Sequence, residues 1–263
     1  MSLILVAHGT RRPGGVAMIG DLAAEVGALV HDTVQVAFVD VLGPTPSKVL
    51  SSCAGLSRTP AIVVPAFLSR GYHVRTDLPA HVAASGHPHV CVTSALGPST
   101  EIARILADRL MKSGWRRGDS VILAAAGTSD RRARADLRTA AALLSSLTAS
   151  RVDLGFAATG DPDVRAAVAN ARRRGARRVV VVSYLLAEGL FQERLHASGA
   201  DLVTQPLGTH SGLAGVIAHR FRSAMPHRSG SRRPLHLPNR MEHTVLRSAT
   251  PTSAALDLWG ISG

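Results

Sequence analysis

The chain has 263 residues, 46% of them apolar, and a formal net charge of +12. That length allows one large domain or two modest ones, each with its own core. Aromatics make up only 3% and are not interleaved with the basic residues, which carry no finger, RNP or helix-turn-helix pattern, so no nucleic-acid partner is expected.

An anionic small molecule suits the charge better. The N-terminal Met1 to His8 stretch has no basic flank and is too short for a secretory signal. No apolar run approaches a membrane span, so no membrane partner is expected and the chain is assigned to the cytoplasm. Cys53 and Cys91 stand alone and are expected to be small buried hydrophobes in a reducing compartment.

In chain order, Leu3 to Ala7 predicts a strand that ends at His8-Gly9-Thr10. Ile19, Leu22, Ala23, Val26 and Val30 recur at helical spacing. Val34 to Val39 is a second strand ending at Asp40, and a helix follows from Pro44. Ala61 to Phe67 is a third strand, running into a Gly71-Tyr72-His73 turn with a helix from Asp77. Val90 to Ser94 and Glu101 to Met111 complete four strand–helix units. That alternation calls for a parallel sheet with right-handed crossovers.

The pattern then repeats. Val121 to Ala125, Val152 to Phe156, Val179 to Tyr184 and Leu202 to Leu207 predict strands. Helices are expected over Arg131 to Leu147, Pro162 to Arg174, Gln192 to His196 and Leu213 to Phe221. An offset of 118 aligns Gly9 with Gly127, Phe38 with Phe156, Pro44 with Pro162 and Gly71 with Gly189; later, Leu96-Gly97 meets Leu207-Gly208 at 111. Two copies of one α/β unit are therefore expected, residues 1–118 and 119–225, with a ligand cleft between them. Residues 226–263, rich in Arg, His, Pro and Ser without periodicity, are read as a basic disordered tail.

His8, Asp40 and His73 each follow a strand of the first copy, at the sheet edge where open α/β folds bind ligands. Two imidazoles and a carboxylate suit a divalent first-row metal. Taken one by one, each residue has a bland structural explanation. The second copy supplies a control: the 118 offset places Ala126, Ala158 and Phe191 at the three positions while the surrounding glycines and apolar residues persist. Joint loss is expected of one functional unit kept in one copy. Arg11, Arg12, Arg70 and Arg75 lie beside the histidines as candidate partners for substrate carboxylates. His87 and His89 are expected at the surface, and His196, His210 and His219 have no visible partners. No Gly-x-x-x-x-Gly-Lys-Ser/Thr loop exists, so neither ATP nor another nucleotide is expected.

His8-Gly9-Thr10, Phe38-Val39-Asp40, Pro65-Ala66-Phe67-Leu68 and Gly71-Tyr72-His73 running to Asp77-Leu78-Pro79 resemble the sirohydrochlorin (cobalt/iron) chelatase family of ATP-independent class II chelatases. The resemblance covers about residues 3 to 223. It implies two tandem flavodoxin-like halves with a tetrapyrrole in the cleft and a metal substrate delivered by histidines. His8 and His73 match the family's histidines and are the expected catalytic residues and metal ligands; Asp40 stands where a Glu is expected. The resemblance further implies a fused two-repeat chain, expected as a monomer, that inserts Fe²⁺ (taken slightly ahead of Co²⁺) into sirohydrochlorin for sirohaem. The alternatives are cobalt insertion for cobalamin, or a non-catalytic carrier of metal or tetrapyrrole. A mononuclear iron oxygenase would need a co-substrate for which no motif is visible.

Overall fold

The computed structural model describes residues 1–54 and 60–226, so the expectation of a disordered tail falls outside the described residues apart from Pro226. The first half runs β1 (Ser2–Ala7), α1 (Pro13–Val30), β2 (Val34–Phe38), α2 (Pro46–Ala54) and β3 (Ala61–Pro65). It continues through a single π-helical turn (His73–Asp77) to α3 (Leu78–Ser85), β4 (Val90–Val92) and α4 (Thr100–Lys112). The second half runs β5 (Ser120–Gly127), α5 (Arg131–Thr148), β6 (Val152–Thr159), α6 (Val164–Arg173), β7 (Val179–Tyr184), α7 (Leu190–His196), β8 (Leu202–Val203) and α8 (Ser211–Ala224).

Each half forms a four-stranded parallel sheet, ordered β2-β1-β3-β4 in the first and β6-β5-β7-β8 in the second. The pairing registers make the duplication explicit. Leu3 faces Val34 and Ser2 faces Ala61, while Val121 faces Val152 and Ser120 faces Val179, both at the 118 offset. Ile62 with Cys91 and Val180 with Leu202 repeat the match with the outer strand at 111. Strand β8 is shorter than the Leu202 to Leu207 expectation, and Pro206, which has no N–H to give a neighbouring strand, follows it closely.

Alternate residues of one strand serve two different cores. Leu3, Leu5 and Ala7 enter a central apolar cluster, whereas Ile4 and Val6 pack outward with Val49, Leu50 and Leu78. The second sheet does the same: Val121, Leu123 and Ala125 point to the central cluster, and Ile122 and Ala124 pack with α6 residues. Burial on both faces is what a parallel strand requires. The central cluster belongs to both halves, since α1, α4, α5 and α8 all contribute to it. Within it α1 packs on α8 and α4 on α5, the same contact made twice about a pseudo-two-fold axis.

Two expectations change here. Helix α1, at 18 residues and mean hydropathy 1.3, is long and apolar enough to cross a membrane by length and composition. In the fold its Ile19, Leu22, Ala23 and Val26 face is buried in the shared core. Cys53 is buried as expected, but Cys91 lies exposed on the outer strand β4.

Candidate metal centre

In a sheet ordered β2-β1-β3-β4 the chain reverses direction of winding between β1 and β3, and ligands bind outside the carboxyl ends of those strands. His8 directly follows β1, and His73 opens the π-helical turn reached from β3. Their rings meet edge to face with centroids 4.5 Å apart. Phe67, at 6.1 Å and stacked, and Tyr72, at 6.0 Å and edge-on, wall the His73 ring.

The hydrogen bonds fix which nitrogen is available. His73 Nδ1 lies 2.6 Å from Asp77 Oδ2, and His8 Nδ1 lies 3.1 Å from the Gly9 carbonyl oxygen. Both partners only accept, so Nδ1 carries the proton in each neutral ring and Nε2 keeps its lone pair. A neutral imidazole with a free Nε2 lone pair is the form in which histidine binds a first-row metal ion, at about 2.1 Å. The sequence pattern marks Asp77 only as a helix start. Its spacing of four residues from His73, one helical turn, was the signal available for a carboxylate that orients the ring.

Asp40 engages the backbone of its own turn. Its Oδ1 accepts from the Val41 N–H at 2.7 Å, and its own N–H donates to the His8 carbonyl at 3.0 Å. Among the described residues no three His, Cys, Asp or Glu side chains are grouped to hold a metal ion. Asp40 instead shapes the turn beneath His8. Val41 takes φ 68° there, a left-handed conformation costing a β-branched residue about 1–3 kcal/mol. Gly9, at φ 99°, leaves no room for a Cβ, which would lie 2.2 Å from the Asp40 carbonyl oxygen.

Three of the four candidate substrate arginines are paired with carboxylates of the second half. Arg12 binds Glu193 at 2.5 Å, Arg70 binds Asp136 at 2.6 Å, and Arg75 binds Asp130 at 3.0 Å. Arg11 has no ion pair among the described residues. The pairing of Arg12, Arg70 and Arg75 within the protein leaves Arg11 as the candidate whose charge is not engaged in an ion pair among the described residues. Arg70 and Arg75 hold the segment that carries His73 against the other half, as does the buried Tyr184 hydroxyl, which donates to the Leu68 carbonyl at 2.8 Å; Arg12 ties the start of α1 to that half. Burial pushes that phenol's pKa upward.

Asp136 is 2% exposed and takes both the Arg70 backbone N–H, at 2.8 Å, and its guanidinium. Burial acts to raise the Asp136 pKa, but the Arg70 side-chain and backbone donors outweigh it and hold the carboxyl below its ordinary value. A lowered native pKa contributes stability above the ordinary aspartate value of about 4 and loses it as pH falls through the native value. Asp136→Asn is therefore expected to lower stability by about 2 kcal/mol at pH 7 and to flatten the acid limb of the stability curve. Urea midpoints measured from pH 3 to pH 7 check both effects.

At the corresponding edge of the second sheet, Ala126 and Phe191 occupy the positions of His8 and His73, and the Phe191 ring lies 6.0 Å from Arg194 Cζ. Three further histidines have partners within the protein. His87 is buried rather than exposed, and its Nδ1 accepts from the His89 N–H. His196 meets Gln192 at 3.2 Å, and His210 meets Asp108 at 2.7 Å and caps α8, partners that the sequence did not reveal.

A family model described as CbiX matches residues 2–113 and 120–224. A sirohydrochlorin ferrochelatase of Priestia megaterium is 25% identical over 243 residues, covering 85% of this chain and 90% of the relative. A sirohydrochlorin cobaltochelatase of the same organism is 27% identical over 235 residues, covering 84% of this chain and 74% of the relative. Among solved structures, SirB from Bacillus subtilis with Fe³⁺ gives a TM-score of 0.74 at 20% identity, over 84% of this chain and 94% of that one. A CbiX structure described as the terminal enzyme for biosynthesis of siroheme in denitrifying bacteria gives 0.65 at 19% identity, over 86% and 100%. The α/β architecture of two parallel four-stranded sheets is shared with both.

Proposed function

The chain belongs to the CbiX family, and from that membership we propose that it is a sirohydrochlorin chelatase, inserting a divalent metal ion into a carboxylate-rich tetrapyrrole. The observation that carries this reading is the His8–His73 pair, held at 4.5 Å beside the switch point of the first sheet.

The reaction exchanges one divalent ion for the two N–H protons of the free macrocycle. Neutral imidazoles suit both sides of that exchange, because they hold an ion in an open shell and accept protons near neutral pH. In the proposed sequence, the Nε2 atoms of His8 and His73 present the ion to the macrocycle. As the ion leaves them, the same atoms take up the displaced protons and pass them to water. Asp77 keeps the His73 ring in place and balances its charge when it is protonated. Asp40 supports the His8 turn through its backbone rather than as a ligand. Arg11, beside the α1 N-terminus, which lacks a side-chain cap, is the proposed partner for a substrate carboxylate.

No nucleotide enters this scheme, in keeping with the lack of a phosphate-binding loop in the sequence. Residues 1–118 and 119–225 act as the two walls of the cleft, and a cytoplasmic location fits a substrate ion that must stay reduced. Iron insertion, leading to sirohaem, is the reading taken first. Cobalt insertion, leading to cobalamin, is the second, favoured by a cobaltochelatase relative as similar as the ferrochelatase one. Anaerobic mixing of sirohydrochlorin with Fe²⁺ or Co²⁺, followed by absorbance, tests both. A rate above the spontaneous one supports a chelatase, and binding without acceleration would identify a carrier instead.

A further inference from the structure

The arginine–carboxylate pairs between the halves obey a pattern that the duplication exposes. A shift of 118 residues carries Arg12 onto Asp130 and Arg75 onto Glu193. Arg12–Glu193 and Arg75–Asp130 are therefore the same contact made twice about the pseudo-two-fold axis, with both bases in the first half and both acids in the second. The shift also carries Met18 onto Asp136 and Arg70 onto Glu188, so the third pair, Arg70–Asp136, again takes its base from the first half and its acid from the second.

We propose that this charge segregation is a pairing code, by which the first half accepts a second half as its partner and refuses another first half. Two first halves would bring Arg12 against Arg75 at both pseudo-symmetric contacts. Two second halves would bring Asp130 against Glu193 and Asp136 against Glu188. Like charges placed face to face disfavour a pairing even where the apolar surfaces match. The apolar surfaces do match here, because α1 on α8 and α4 on α5 are equivalent packings and would form between identical halves. The Asp108–His210 contact, at 2.7 Å, also joins unlike halves, and its shifted positions, His219 and Ser99, recreate it in neither homotypic pairing. The consequence for the site is that each cleft receives one histidine pair and one apolar wall, never two of either. This inference stands apart from the chemistry proposed above.

The test exchanges one pair in the full-length chain. Arg12→Glu with Glu193→Arg restores an intrachain ion pair of reversed sense, yet makes first halves complementary to one another. Arg12 makes no side-chain cap to α1, and both side chains are about half exposed, so the exchange disturbs little else. Wild type and variant are unfolded in urea, refolded at high protein concentration and sized by light scattering. The code predicts that wild type returns as monomer, while the exchange raises the oligomeric fraction roughly tenfold. Arg12→Glu alone, facing Glu193, is expected to melt below both. Arg75→Glu alone, which leaves in place the cap that Asp130 makes to α5, also sets Arg12 against Glu between two first halves and is expected to raise the oligomeric fraction as the exchange does, covering the case in which the exchange does not fold. Equal monomer recovery by wild type, the exchange and Arg75→Glu, an Arg12→Glu variant as stable as wild type, or oligomers of wild type itself would each overturn the proposal.

Discussion

His73→Ala and His8→Ala are each expected to slow metal insertion by about 100-fold or more, because one group is lost from both the ion's coordination shell and the proton-accepting pair. The loss is a loss of chemistry rather than of folding. His8 is exposed and the His73 side chain is 31% exposed, and neither enters an apolar cluster. Substitutions at such positions move stability by about 0.5 kcal/mol or less. Melting curves that overlay wild type, with insertion near the spontaneous rate, are the expected pair of results. His81→Ala serves as the control. That ring meets Ser47 Oγ at 3.3 Å, away from the His8–His73 pair, and its removal should leave the rate within about twofold.

Asp77→Ala is expected to cost 10- to 100-fold in ion affinity or insertion rate, the range seen when the partner of a metal-binding histidine is removed. Without the carboxylate, nothing selects the Nδ1–H form of His73, and the ring can turn its proton toward the ion. Asp77→Asn separates two contributions. The amide oxygen still accepts from Nδ1–H, so orientation is retained, while the negative charge that balances a protonated ring is gone. The Asn variant should therefore bind Co²⁺ more nearly as wild type does and still insert it more slowly. Titration of Co²⁺ absorbance alongside the insertion assay measures the two effects separately. Equal losses in both variants would mean that orientation contributes nothing.

Much of the fold was legible because parallel strands buried on both faces are apolar throughout. Leu3 to Ala7, Ala61 to Pro65 and Val179 to Tyr184 cannot be mistaken for surface segments. The duplication was legible from glycines and prolines, and the strand registers repeat it at both offsets. His8 and His73 could be placed at one edge because each follows a strand beside the switch point. What stayed hidden depends on how the halves meet. Arg12, Arg70 and Arg75 look like free loop charges until α5 and α7 bring Asp130, Asp136 and Glu193 to them. Asp40 looked like a ligand because the residue after a strand points to the right edge. Whether its carboxylate turns to the cleft or to the next backbone N–H is decided by a turn that spacing does not encode. Asp77 had the opposite fate, since a π-helical turn in place of an ordinary helix start brings it under His73.

X-ray absorption at the cobalt edge, on protein loaded with Co²⁺ in the absence of macrocycle, tests the first-half histidine grip most directly. About two imidazole nitrogens per ion are expected for wild type, one after His73→Ala, and none in the double variant His8→Ala/His73→Ala. A double variant with the same imidazole shell as wild type would place the ion elsewhere and contradict the account.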